Sequence, residues 1–187
     1  MYRIRYSKHY RTPILVVNPS STNITCPGFC NGTATVAPTG GTGNPAIDFT
    51  YSWTGPSCSP CLTQSIASLC PGTYICTVVD SFGCSAIDSV VVSEPLPLVL
   101  VMASTDESCF NACDGTAGVT ASGGTGNPAV DFTYFWNSIP IGQVSSGQGT
   151  DTIWNLCAGT YTVNITDSVG CPASASVTVN PQTPIVG

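Results

Sequence analysis

Cysteine is the residue type with the most chemistry to offer in this chain of 187 residues, which carries eleven. Four recur in register: Cys26, Cys30, Cys70 and Cys84 match Cys109, Cys113, Cys157 and Cys171. The first two and the last two of each set keep their spacing, while the middle gap is four residues longer in the second set. Small domains with marginal cores use such thiols as staples, which points to an oxidising, extracellular setting. Four thiols allow three connectivities, and spacing alone leaves them open. Cys26–Cys84 with Cys30–Cys70, and Cys109–Cys171 with Cys113–Cys157, is the favoured set because it joins opposite ends of each repeat. Loops of roughly 40–60 residues closed in this way are each worth about 4 kcal/mol in the chain-entropy account.

Cys58, Cys61 and Cys76 have no counterpart in the second set. Cys58-Ser-Pro-Cys61 is expected to close on itself at a loop tip. Cys76 alternates with Tyr74 and Val78 and stands where the second copy has Val163, which predicts a buried free thiol. These three thiols could hold zinc only with a fourth ligand. The sole histidine, His9, lies far off in sequence, so no metal or other cofactor is assigned. A Cys-x-x-Cys redox pair normally opens a helix, and no helical periodicity surrounds this one. A hydrolytic triad needs a histidine beside its nucleophile. Glu94 and Glu107 fall at a linker and a loop, and offer no glycosidase pair. Asp48 and Asp131, like Asp80 and Asp167, are expected to satisfy turn amides; no Asp-x-Asp-x-Asp-Gly loop marks a calcium site. No enzyme is expected.

The elements that must position these residues are duplicated. Gly40-Gly-Thr-Gly-Asn-Pro-Ala-Ile-Asp-Phe-Thr-Tyr-Ser-Trp53 returns 83 residues later as Gly123-Gly-Thr-Gly-Asn-Pro-Ala-Val-Asp-Phe-Thr-Tyr-Phe-Trp136. A period of that length is a whole small domain rather than a solenoid unit. Each copy reads as a turn feeding a strand, with Phe49, Tyr51 and Trp53, or Phe132, Tyr134 and Trp136, on one face. About seven short strands per copy, separated by turn residues, predict an all-β fold of two tandem immunoglobulin-like antiparallel β-sandwiches. Trp53, Trp136, Tyr74 and Tyr161 are the expected interior aromatics. Apolar strands at Thr12-Pro-Ile-Leu-Val-Val17 and Leu96-Pro-Leu-Val-Leu-Val-Met102 open the repeats. The domains are therefore a basic arm at 1–12, repeats at 13–95 and 96–182, and a strand-like tail at 183–187. Prolines 95 and 97 make the link semi-rigid.

Charged residues are only 7% of the chain, well under the usual share of about 25%. All the cations, Arg3, Arg5, Lys8 and Arg11, lie in the arm, where Tyr2, Ile4 and Tyr6 alternate with them as in a strand with one apolar face. An acidic body without Lys or Arg excludes nucleic acid as its partner. No apolar run reaches the length of a membrane span.

The series Cys26-Pro-Gly-Phe-Cys-Asn-Gly-Thr-Ala, Gly-Gly-Thr-Gly with Tyr-Ser-Trp53, Leu-Cys-Pro-Gly-Thr-Tyr74 and Asp-Ser-Phe-Gly-Cys84 resembles the SprB repeat of Bacteroidetes surface proteins. The second copy keeps the order through Asp-Ser-Val-Gly-Cys171, and the resemblance covers about residues 13–181. It implies immunoglobulin-like domains in cell-surface arrays, including the gliding-motility adhesin, secreted across the outer membrane. It also implies O-glycans on Asp-Ser/Thr-aliphatic triplets, whose acceptors here are Ser89, Thr152 and Ser168.

The two copies differ at Phe135, which replaces Ser52 on the face opposite the tryptophan and is expected to mark a contact patch. Together with Arg3, Arg5, Lys8 and Arg11 it forms the expected set of assembly contacts. The leading expectation is a secreted, non-enzymatic structural protein that self-associates into a filament or surface array. The alternative is a monomeric adhesin stalk that binds glycan or a cell surface through loops at 57–64 or 139–150.

Overall fold

The structure, a computed structural model, describes residues 13–141 and 146–183. Arg3, Arg5, Lys8 and Arg11 and most of the C-terminal tail lie outside these. The chain divides into two units, Met1–Glu94 and Pro95–Gly187.

In the first unit the strands are β1 (Pro19–Thr22), β2 (Gly32–Val36), β3 (Thr50–Gly55), β4 (Cys58–Cys61), β5 (Ser65–Leu69), β6 (Gly72–Val79) and β7 (Ser85–Val92). They form two antiparallel sheets, β1-β2-β5 and β4-β3-β6-β7. The second unit has β8 (Val99–Thr105), β9 (Gly115–Ser122), β10 (Thr133–Ile139), β11 (Thr152–Leu156), β12 (Gly159–Thr166) and β13 (Pro172–Val179). Its sheets are β8-β9-β11 and β10-β12-β13. Each unit is an immunoglobulin-like β-sandwich, and the described residues contain no helix.

Alternation along the strands builds the cores. Phe49, Tyr51 and Trp53 face inward with Tyr74, Cys76 and Val78 from β6, and Trp53, Tyr74 and Cys76 are fully buried. Phe132 and Trp136 meet Tyr161, Val163 and Ile165 in the second unit. Each indole finds a carbonyl: Trp53 Nε1 donates to Thr63 O at 3.0 Å and Trp136 Nε1 to Thr150 O at 2.9 Å. Each tyrosine turns its hydroxyl back along the chain, Tyr74 to Cys70 O at 2.8 Å and Tyr161 to Cys157 O at 2.7 Å. This is the tyrosine corner of immunoglobulin-type sandwiches.

Two local features depart from plain alternation. The expected strand at 12–17 is reduced to a single bridge between Val16 and Thr39. Asn18 takes a φ of 51° and spends its side chain on Ala37 O and Thr39 Oγ1, so pairing restarts only at Pro19. In β5 and β11 the inward residues are three apart, Ile66 with Leu69 and Ile153 with Leu156. Ser68 and Asn155, at φ 58° and 59°, each form a bulge that shifts the register against β2 or β9.

Candidate assembly site

The repeated Gly-Gly turn and the repeated Asp-Ser-x-Gly-Cys turn meet in each unit, through an aspartate. Asp80 Oδ1 accepts the N–H groups of Phe82 and Cys84 at 3.0 and 2.8 Å, and Oδ2 accepts that of Thr42 at 2.9 Å. Asp167 repeats this with Val169, Cys171 and Thr125 at 3.1, 2.8 and 2.8 Å. Gly40 and Gly123 adopt φ of 73°, and a Cβ there would strike the carbonyl oxygen of Ile14 or Pro97. Glycine is therefore required where this turn crosses the opening segment. Asp48 and Asp131 accept the N–H of Asn44 and Asn127, each at 2.7 Å. These carboxylates are bound to backbone amides.

Burial raises the pKa of Asp80, but the N–H groups of Cys84, Thr42, Phe82 and Gly83 outweigh it and hold the carboxyl below its ordinary value. Asp167 is lowered for the same opposing reasons. A folded-state pKa below the unfolded one contributes stability above the unfolded value of about 3.9, and that contribution is lost as pH falls through the folded value. The urea midpoint should therefore be level from about pH 5 upward to neutrality and fall below about pH 4. A double Asp80→Asn, Asp167→Asn variant should start lower and show a shallower acid limb. An unchanged acid limb would remove these aspartates from the account.

The thiols divide into staples and free groups. Disulfides join Cys30 to Cys70 and Cys113 to Cys157, and each clamps the ends of two adjacent strands, β2 with β5 and β9 with β11. Cys58–Cys61 closes a ring, not at a loop tip but within edge strand β4, where Cys61 lies opposite Trp53. The favoured Cys26–Cys84 and Cys109–Cys171 pairs are absent: Cys84 and Cys109 are free and exposed, whereas Cys26 and Cys171 are buried and oxidised. Of the favoured set, Cys30–Cys70 and Cys113–Cys157 are therefore present, and joining opposite ends of a repeat was a poor guide only for the first and fourth cysteines. Cys76 is a free thiol at 0% exposure, and desolvation pushes its pKa up to about 11 against a weaker opposing bond from Ser52.

Glu107 lies in the loop after β8, as expected, and is only 2% exposed. Oε1 accepts the N–H groups of Cys113 and Ala158, each at 3.2 Å, while Oε2 is buried without a hydrogen-bond partner. It lies beside Cys113 and Cys157, but sulfurs joined to each other offer no thiolate to a metal. Burial and then the Glu107 charge raise the pKa of Tyr161. The first repeat shows why a carboxylate is tolerated. Its equivalents are Ile24, 4% exposed, and Pro71, which has no N–H to satisfy. Glu107→Ile alone should cost about 1–3 kcal/mol by stranding two amides. Adding Ala158→Pro should recover part of that loss. Additive effects in urea unfolding would show that the two positions are not coupled.

The units differ most at one sheet edge. In the first, β4 covers β3 and carries Pro60, which blunts the edge. In the second, no strand among the described residues pairs with the outer edge of β10. The Gln148 side-chain amide takes the place of a strand there, accepting from Trp136 N at 2.7 Å and donating to Trp136 O at 2.9 Å. Phe135 and Ile139 on β10 are 57% and 72% exposed. Nearby, Pro128, Ala129, Tyr134, Thr150 and Asp151 line a shallow depression. Of the candidate glycan acceptors, Ser89 and Thr152 are exposed on strands. Ser168 is exposed too, but its hydroxyl donates to Thr125 O at 2.7 Å, as Ser81 does to Thr42 O at 2.6 Å.

No protein-family model matches the chain, and no curated protein matches it significantly in sequence. Among solved structures it is similar to DIP-gamma IG1+IG2, at 13% identity and a TM-score of 0.40, over 91% of this chain and 97% of that one. The mouse nectin-like molecule 4 ectodomain (Ig1–Ig3) gives 14% identity and a TM-score of 0.35, over 94% of this chain and 66% of that one. Domains 4–9 of surface layer protein SbsC give 18% and 0.35, over 95% of this chain and 32% of that one, so the chain spans about a third of that fragment. Among the described residues no helix is long and apolar enough to cross a membrane.

Proposed function

We propose that this chain is a secreted, non-enzymatic structural protein, built of SprB-like repeats, whose copies join into an extracellular filament or surface array. The observation that carries this reading is the outer edge of β10, with which no strand among the described residues pairs, and Phe135 and Ile139 exposed on that strand. Backbone groups with no strand beside them are a template for another strand, which here would displace the Gln148 amide from Trp136. The N-terminal arm has the matching pattern, with Tyr2, Ile4 and Tyr6 for an apolar face and every cation of the chain beside them. The remainder carries ten carboxylates and attracts such an arm. Edge and arm are different surfaces, so the contact is heterologous and propagates as an open filament. The non-enzymatic part is supported by the carboxylates, since Asp48, Asp80, Asp131 and Asp167 are engaged with backbone amides.

Deleting residues 1–11 should leave folded monomers that sediment as single chains, and restoring the arm should restore large species. Polymers that persist without the arm would contradict the proposed contact. A second reading, a monomeric adhesin stalk for glycan, draws on the depression between Tyr134 and Asp151. It requires Asp151→Ala to abolish glycan-array binding by a chain that stays monomeric.

A further inference from the structure

Glu107 uses only half of its carboxylate. Oε1 accepts the N–H of Cys113 and that of Ala158, the residue after Cys157, so it ties together the two segments that the disulfide joins. Oε2 is buried and, among the described residues, has no hydrogen-bond partner. An orphaned acceptor on a side chain only 2% exposed is destabilising, and a redox or catalytic role is one of the few reasons to keep it. A carboxylate oxygen of Glu107 and both sulfurs lie within 4.8 Å of one another. The two cysteines are half-buried, so a small attacking group can reach sulfur although the carboxylate is closed off. In the disulfide neither sulfur has a proton to give. Reduction creates two S–H donors where an acceptor already stands.

The first unit has the same staple without the acid. Cys30–Cys70 has a sequence separation of 40 against 44, and Tyr74 donates to Cys70 O as Tyr161 does to Cys157 O. Ile24 and Pro71 stand in place of Glu107 and Ala158, and among the described residues no carboxylate or imidazole groups with Cys30 and Cys70 in this way. Loop length and phenol are shared, so the carboxylate is what sets the two staples apart.

We propose that Cys113, Cys157 and Glu107 form a thiol–disulfide exchange site, in which reduction gives Oε2 the S–H partner it lacks and makes this staple the easier one to open. The inference does not depend on the filament reading. The thiolate of a small thiol attacks one sulfur, and a mixed disulfide forms as the Cys113–Cys157 bond breaks. A second small thiolate then attacks the mixed disulfide and leaves joined to the first as their own disulfide. The protein gains two electrons and two protons, and the two small thiols lose them. One of the new protein thiols donates its S–H to Oε2. A hydrogen bond to a charged acceptor shifts such an equilibrium by about tenfold.

The test equilibrates the folded full-length chain with reduced and oxidised glutathione at neutral pH over a range of ratios. Free thiols are trapped with N-ethylmaleimide, the chain is digested with pepsin, and each pair is counted by mass spectrometry. Cys113–Cys157 should be half open in glutathione about tenfold less reducing than Cys30–Cys70 requires. Glu107→Gln keeps a carbonyl for the two amides but puts an NH2 group, which cannot accept S–H, in place of Oε2. It should abolish the difference and leave Cys30–Cys70 unmoved. Destabilising the second unit would only make its disulfide easier to open, so a wider difference in this variant would overturn the proposal. Equal midpoints in the unaltered chain would overturn it too, as would a difference that Glu107→Gln leaves unchanged or a shift of both pairs. So would a Cys113–Cys157 midpoint on the more reducing side, which the carboxylate's charge alone would produce by opposing thiolates.

Discussion

Trp136→Ala is expected to cost the second unit about 3–5 kcal/mol, the range for emptying a buried aromatic site. Its side chain is 1% exposed at the centre of the core formed with Tyr161, Val163 and Ile165, and the indole N–H is matched to Thr150 O. Removing it loses both the packing and the bond that holds the turn before β11. Typical domains have only about 5–15 kcal/mol in hand, so a large part of this unit's stability would go. Urea unfolding followed by circular dichroism should show one transition moved to much lower denaturant and a second, from the first unit, unmoved. Trp53→Ala should do the reverse. A loss below about 1 kcal/mol would mean the sandwich does not close on this residue as described.

Replacing Cys113 and Cys157 together with serine should cost about 4 kcal/mol, because the closed loop has a sequence separation of 44 residues. The Cys30–Cys70 pair, at a separation of 40, should behave alike. Cys58–Cys61, at a separation of 3, should be worth only about 2 kcal/mol on the same scale. Measured unfolding free energies of the three double variants therefore have an expected order. A Cys58–Cys61 variant as unstable as the others would show that the ring stabilises β4 by something other than chain entropy.

The all-β sandwich was legible because its signals are local and repeated. Inward aromatics alternate along β3 and β10, and glycines sit where the backbone crosses itself. Other features depend on contacts that sequence spacing does not encode. Asp80 and Asp167 read as turn residues, yet each also holds Thr42 or Thr125 about forty positions away. The signal was present, since the two turn motifs recur together, but recurrence does not specify contact. The bulges at Ser68 and Asn155 hide their strands, because an i, i+3 spacing of core residues looks helical unless a left-handed residue is assumed. Glu107 falls in a loop as expected, but its burial is not legible from its type: a buried carboxylate is uncommon, and only comparison with Ile24 and Pro71 marks the position as interior. The favoured sulfur pairing failed at Cys84 and Cys109 for a related reason. The repeats share the Cys30–Cys70 and Cys113–Cys157 bonds but differ in which of the first and fourth thiols is oxidised, a difference that spacing does not encode.

The most direct measurement of the central claim is electron microscopy of the native secreted material, without denaturant or reductant. Long fibres or ordered arrays whose repeat accommodates the two-unit chain are the expected result. Uniform single particles of one chain, with the arm and β10 both intact, would contradict it.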